Sequence, residues 1–407
     1  MDAAQPPREC DVVVVGAGIV GLAVARELAL RHDGLEIAVL ERESRIAAHQ
    51  TSHSSGVVHS GIYYEPGSLK ARLCVAGARE LHAYCDERGI PAPRTGKLIV
   101  ATEDSELGRL DELERRGRAN GVAGLERLDA AGLREVEPAA AGVAALHAPQ
   151  TGVVDFAEVA SAFADDLAGR GGRVSTGCTV AAVDGSGALV AVRHAGGVTR
   201  ARAAVVCAGA WADRLADAAG AGAEPRIVPF RGAYLRLVPA RADLVRANIY
   251  PVPDPELPFL GAHLTRGPDG AVLLGPTALI AGARDAYSLT RVRAADLRET
   301  LAWPGTWRLA RRWWRTGLRE MGRAASSRAF VADLARYVPE LTASDVVPGP
   351  AGVRAQALGR DGSLVDDFVV HVTERALHVR NAPSPAATSS LALARLIADR
   401  AERELGV

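Results

Sequence analysis

Residues 12–15 are four consecutive valines that lead directly into Gly16-Ala17-Gly18-Ile19-Val20-Gly21. A continuous apolar run of this kind is typical of a parallel strand covered on both faces. Residues 22–30 behind the glycines are helix formers, and a second strand pattern at 35–40 ends in Glu41, 20 residues beyond Gly21. Each glycine has a separate physical task. Gly16 permits the tight turn, Gly18 lets the backbone approach a pyrophosphate, and Gly21 lets helix and strand pack closely. The helix N-terminus then turns free N–H groups towards phosphate. Glu41 stands where an acid binds ribose hydroxyls and disfavours a 2′-phosphate, and Arg42 beside it is assigned to the same site. The glycine spacing alone would fit an ordinary turn; the order strand, glycines, helix, strand and acid predicts a dinucleotide-binding Rossmann unit.

The C-terminal region separates the candidate dinucleotides. Residues 381–388, Asn-Ala-Pro-Ser-Pro-Ala-Ala-Thr, precede a helical pattern at 389–405, with Ser384 read as N-cap and Pro385 as the first helical residue. A helix start built from Ser384, Pro385, Ala386 and Ala387 can meet a flat ring edge-on. Its dipole would stabilise negative charge on a reduced flavin. This favours FAD, the alternative being an ordinary capped helix.

A chain of 407 residues exceeds the size at which a single core usually stops growing, so two domains are expected. With Lys plus Arg and Asp plus Glu at 48 each, no overall field recruits nucleic acid. The five cysteines are an odd, scattered set without a C-x-x-C pair, which predicts reduced thiols and no metal site. The N-terminal residues lack a basic region followed by an apolar one, and the apolar stretch 12–25 is too short to span a bilayer. A cytoplasmic location is therefore expected.

Five further blocks carry a resemblance: HQTSHSSGVVHSGIYYEPGSLKARLC from His49, IVPFRGAYLRL from Ile227, IYPVPDPELPFLGAHLTR from Ile249, GPAGVRAQALGRDGSLVDDF from Gly349 and HVRNAPSPAATSS from His378. In collinear order over almost the whole chain, they resemble the L-2-hydroxyglutarate oxidase/dehydrogenase family, within the D-amino-acid-oxidase-like FAD enzymes. The resemblance implies an α/β fold with a Rossmann-like FAD domain of the glutathione-reductase/D-amino-acid-oxidase type. It also implies a substrate domain built on a mainly antiparallel sheet. The FAD domain is expected to be discontinuous, at 1–90, 150–225 and 345–407, and the substrate domain at 91–149 and 226–344. Strand patterns at 226–238, 258–266 and 271–275 fit the latter, with a turn at 267–270. A buried strand pattern at 205–210 would return the chain to the FAD site at Gly209. The resemblance further implies that Thr51, Ser54, Ser55 and Gly56 line the FAD phosphates and ribityl chain, with Val180 near the adenine. The sequence departs from the family pattern where Thr277 stands for an Asn and Gly282-Ala283-Arg284-Asp285-Ala286-Tyr287 for Phe-Lys-Arg-Glu-Gly-Tyr. Ser52 and Ser54 likewise replace a Gly and an Asn.

Oxidation of a 2-hydroxy acid needs a base for the hydroxyl proton, cations for carboxylates and a carbinol carbon held against the flavin. The expected reaction is L-2-hydroxyglutarate to 2-oxoglutarate. His59 and His263 are the candidate bases, each also readable as a hydrogen-bonded core histidine. His49 and His53 could instead carry a covalent flavin link. Arg231, Arg266 and Arg354 sit in apolar or glycine-rich strand contexts where a charge must be paired, and Lys70, Tyr63, Tyr64 and Tyr250 are further candidates for substrate binding. Structural salt bridges are the competing reading for the arginines.

Residues 307–318 place Arg308, Arg311, Arg312 and Arg315 on one arc of a helix and Trp307, Leu309, Ala310, Trp313, Trp314 and Leu318 on the other. The sequence favours a surface helix that buries its tryptophans. The alternative is peripheral contact with a membrane interface, with electrons passing to quinone rather than oxygen. Three other functions fit the same fold: an FAD amine or amino-acid oxidase, a related 2-hydroxy acid oxidase with a different side-chain preference, and a non-catalytic flavin- or nucleotide-binding protein.

Overall fold

A computed structural model describes residues 5–255 and 260–407. Five parallel strands form the centre of the first sheet, in the order Ala376–Asn381, Gly197–Val206, Glu9–Val15, Ile37–Leu40, Arg173–Ser175. Antiparallel strands Val369–Val372, Val190–His194 and Val180–Asp184 extend it. The valines of Glu9–Val15 lie in the middle, with neighbours on both edges and little or no exposure. The chain switches direction across the sheet at the end of this strand, which is where ligands bind in open α/β sheets. Helices Ile19–Arg31, Phe156–Ala168 and Ser390–Leu405 share one apolar core against this sheet.

Among the described residues the second sheet has nine strands and is mainly antiparallel, with one parallel pair between Lys97–Ala101 and Asn248–Pro251. Lys97–Ala101, Glu126–Asp129 and Ala144–Ala148 join Arg226–Leu237, Asn248–Pro251, His263–Arg266 and Val272–Gly275 in it. Alternation divides its central strands between two cores. Leu98, Val100 and Leu264 face one packed by helix Ser327–Leu334, while Ile99, Ala101 and Tyr250 face the other. A small ribbon, Val57–Val58 with Gly152–Val153, stands apart from both sheets.

Four expectations change here. The boundary expected at 345 falls later, because Val346–Leu358 pairs along Arg226–Leu237 and so belongs to the second sheet. The strand expected at 258–266 is regular only over His263–Arg266, and Pro258 and Phe259 lie outside the described residues. The last helix starts at Ser390, not Pro385: residues 384–389 form turns, with Ser389 rather than Ser384 at the N-cap. Finally, helix Pro304–Ala325 does not bury its tryptophans as expected. Trp307 is 60% and Trp314 55% exposed, and only Trp313 is half-buried. Among the described residues, no helix is long and apolar enough to cross a membrane.

Candidate active site

The glycine turn is built by close contacts. A Cβ on Gly21 would lie 2.0 Å from the Gly16 carbonyl oxygen, and one on Gly16, at φ +102°, would lie 2.5 Å from that of Cys207. Gly18 differs: a Cβ there would meet only Thr51 Oγ1, at 3.4 Å. Thr51 Oγ1 accepts from Ile19 N at 3.1 Å and so caps the helix start. Glu41 braces the turn from the other side, accepting from Ala17 N at 2.8 Å and from Glu43 N at 2.9 Å. Arg42 stacks over Trp211 at 3.6 Å.

These residues open onto a cavity of about 1350 Å³ that runs from the end of the first sheet to the face of the second. At one end it is lined by Gly16, Gly18, Gly21, Glu41 and Arg42, with Val180 and Gly209. Thr51, Ser54, Ser55 and Gly56 line its flank, and Ser384, Pro385, Ala386 and Ala387 approach from the C-terminal segment. A long groove with a glycine floor under a helix start and a small-residue wall fits a dinucleotide carrying a flat ring system.

The far end of the cavity is lined by His59, His263, Tyr63, Tyr64, Tyr250, Lys70 and Arg354. His59 is held by its backbone: its N–H donates to Thr388 Oγ1 at 3.0 Å, and Cys74 Sγ donates to its carbonyl at 3.3 Å. Its Nε2 lies 3.4 Å from Ser384 Oγ, which places the imidazole against the segment expected at the flavin edge. Its Nδ1 is buried and has no hydrogen-bond partner among the described residues. His263 stacks on Tyr250, centroids 4.0 Å apart. Its Nδ1 lies 3.0 Å from the Gly261 carbonyl oxygen, so this nitrogen carries the proton and Nε2 keeps its lone pair. Burial, then the Lys97 charge, holds His59 well below the usual histidine range. His263 is pushed down to about 3, chiefly by burial. Both rings are neutral bases at neutral pH, and the inflection of a base here moves to the acid side of an ordinary histidine.

Lys70 donates to Asp366 at 2.7 Å and lies over the Tyr64 ring. Arg354 acts electrostatically on both histidines. The other two candidate arginines are elsewhere. Arg266 donates to the carbonyls of Ala242 and Val245 at 3.0 and 2.8 Å, and Arg231 to that of Tyr287 at 3.4 Å; neither lines the cavity. Both corrections follow from strand alternation: Arg266 is three residues from His263 and points to the opposite face, and Gly232 and Tyr234 line the cavity while Arg231, one residue before Gly232, turns away. His49 and His53 also border the cavity, in a cluster where His49 Nδ1 meets Tyr287 Oη at 2.9 Å and His53 stacks on the same tyrosine. Thr277 accepts from Ala233 N, and Arg284 is buried against Asp213 and the Ala210 carbonyl. Of the departures from the family pattern, Thr277 and residues 282–287 do not line the cavity, whereas Ser54 does. Sequence reasoning missed Lys97, which is 1% exposed behind Tyr63 and Tyr250. Its signal was a charge at the head of the apolar run Leu98-Ile99-Val100-Ala101.

Comparison with known proteins places these observations in context. Residues 11–400 match the family described as FAD dependent oxidoreductase. The L-2-hydroxyglutarate dehydrogenase of Nematostella vectensis, named as mitochondrial, is 49% identical, covering 98% of this chain and 91% of the relative. The mitochondrial enzyme of that name from Homo sapiens is 46% identical over 97% and 89%. The one from Indibacter alkaliphilus is 42% identical over 94% and 96%. The fold is shared with L-alpha-glycerophosphate oxidase from Mycoplasma pneumoniae, solved with FAD bound, at a TM-score of 0.78, 22% identity and 97% and 94% coverage. Glycine oxidase from Geobacillus kaustophilus gives a TM-score of 0.71 at 20% identity, with 98% and 96% coverage. The expected cytoplasmic location is overturned by these relatives, since those from animals carry mitochondrial names.

Proposed function

Because this chain belongs to the FAD-dependent oxidoreductase family, in its L-2-hydroxyglutarate dehydrogenase branch, we infer that it oxidises L-2-hydroxyglutarate to 2-oxoglutarate. FAD, when bound, supplies the two-electron acceptor for the hydride. One observation carries the residue-level reading: the glycine turn, the C-terminal turn, two neutral histidines and two cationic side chains line one continuous cavity. The first sheet, with the 384–388 turn, holds the cofactor, and the second sheet supplies the substrate wall. His59 accepts the hydroxyl proton. His263 Nε2 positions the hydroxyl, with Tyr63, Tyr64 and Tyr250 around it, and Arg354 and Lys70 anchor the carboxylates. Anaerobic addition of L-2-hydroxyglutarate to the purified yellow protein should bleach the flavin band, and amino acids should not. Bleaching by amino acids alone would establish the amine-oxidase alternative, and bleaching by neither class the binding-only one.

Arg354→Ala should weaken dicarboxylate binding by roughly tenfold or more, the size of a lost charge-assisted hydrogen bond. Arg266→Ala should leave affinity unchanged and lower the melting temperature instead. Equal affinity losses in both variants would remove Arg354 from its role.

The electron acceptor connects to helix Pro304–Ala325. Trp307, Trp314, Leu318 and Met321, all at least 51% exposed, recur at helical spacing on one outward stripe. Arg308, Arg311, Arg312, Arg315 and Arg319 are exposed beside it. Exposed indoles flanked by arginines suit an anionic lipid interface, where a quinone is within reach. Vesicles containing phosphatidylserine should pull down the protein, and Trp307→Ala with Trp314→Ala should release it. Equal sedimentation of both forms would exclude this surface.

A further inference from the structure

Lys97 heads a central strand of the second sheet, between Asn248 and Ala148 in the ladder. Burying an ammonium is costly unless a partner compensates. Among the described residues it forms no ion pair. Its Nζ lies over two aromatic faces, 4.1 Å from the Tyr250 ring centroid and 5.1 Å from that of Tyr63. Tyr250 in turn stacks on His263. Lysine, phenol and imidazole therefore form one packed column running from inside the sheet to the cavity wall. Cation–π contact offsets only part of the lost hydration.

The charged and titratable groups around Lys97 and the two histidines come from five segments. Residues 57–64 bring His59 and Tyr63, helix Leu69–Arg88 brings Lys70 and Cys74, and the strands bring Tyr250, His263 and Arg354. Cations and neutral groups predominate; Asp366 is taken by Lys70, and among the described residues no carboxylate pairs with Lys97. Among the described residues Lys97 lacks the one kind of partner that a buried ammonium needs, and that partner is what a dicarboxylate substrate brings.

We propose that Lys97 is a positioning residue that takes up a proton from solvent when the anionic substrate binds, and that its charge then keeps His59 neutral and ready to accept the hydroxyl proton. This rests on the functional reading above. The linkage is balanced: free amine plus one solvent proton gives ammonium, and no other bond changes. Burial brings the amine down to about 7, so the empty site is divided between the two forms near neutral pH. A carboxylate in the cavity favours the charged form. Lys97 is already the largest charge acting on His59, lowering its proton affinity. The lysine thus offsets the effect of the substrate's own negative charge, which raises the proton affinity of the base.

The test is calorimetric titration of the FAD-loaded enzyme with glutarate, the diacid lacking the reactive hydroxyl, in buffers of different ionisation enthalpy. A group with a pKa near 7 should take up about 0.9 proton at pH 8 and about 0.1 at pH 6. Affinity should fall up to tenfold per pH unit above 7. The histidines titrate on the acid side and cannot supply this uptake. Lys97→Met should bind weakly with no uptake in this window. Lys97→Arg, always charged, should bind without uptake and keep its affinity at high pH, which separates charge from mere packing. Glutarate binding without uptake in the wild type, or full uptake in Lys97→Met, would overturn the role of Lys97 while leaving the functional reading intact. Absence of glutarate binding at every pH would instead sink that reading, and this inference with it.

Discussion

Gly18→Val should give a folded protein that purifies colourless, with flavin content reduced at least tenfold. The new side chain meets no backbone, since the nearest atom to its Cβ is Thr51 Oγ1 at 3.4 Å. It projects instead into the cavity at the helix start, where the pyrophosphate of a dinucleotide must approach the backbone closely. The neighbouring glycines provide the contrast. At Gly21 any Cβ falls 2.0 Å from a carbonyl oxygen, so Gly21→Val should damage the packing of helix Ile19–Arg31 against its strand and reduce the yield of folded protein. Circular dichroism and the absorbance ratio of flavin to protein separate the two outcomes. A yellow Gly18→Val protein with full stoichiometry would remove the dinucleotide from this turn.

That contrast also indicates why the cofactor end was legible in the sequence. Gly16 and Gly21 are required by backbone geometry, and Gly18 leaves open the space at the helix start; such requirements leave a spacing that can be read without knowing any tertiary contact. Glu41 followed from the same unit, although its carboxylate is also occupied in holding the turn. The substrate end was less legible because the sheet that forms it is assembled from distant segments. Arg231, Arg266 and Arg354 look alike in sequence, and only Arg354 faces the cavity. Parity along each strand could have excluded Arg266 once His263 was chosen, but parity says nothing about which face meets the site. Lys97 was missed for the opposite reason. A lysine at the head of an apolar run reads as a solvated strand end, whereas here parallel pairing to Asn248–Pro251 places that end inside the molecule. The Ser384 cap failed because Pro and small residues suit a tight turn as well as a first helical turn, and the chain uses them for turns.

His59→Gln should slow flavin reduction by roughly a hundredfold or more, the usual contribution of a positioned general base. Glutarate affinity should change far less, because deprotonation of the hydroxyl matters in the transition state and glutarate has none to lose. The wild-type pH profile should carry the same signature. The base works deprotonated, and burial with the Lys97 charge holds His59 well below 6.5, so the rate should be level through neutral pH and fall only in acid. His59→Gln should lose that acid limb. His263→Gln should behave in the reverse way: its ring is fixed by Gly261 and stacked on Tyr250, so it should bind substrate more weakly with a modest rate loss and keep the acid limb. Stopped-flow reduction of both variants across pH decides the matter. If both reduce flavin at near wild-type rates, neither of these histidines is the base. If only His263→Gln is slow and loses the acid limb, the proton goes to the ring on the sheet rather than to the one at the flavin edge, and the substrate must sit with its hydroxyl turned towards Tyr250.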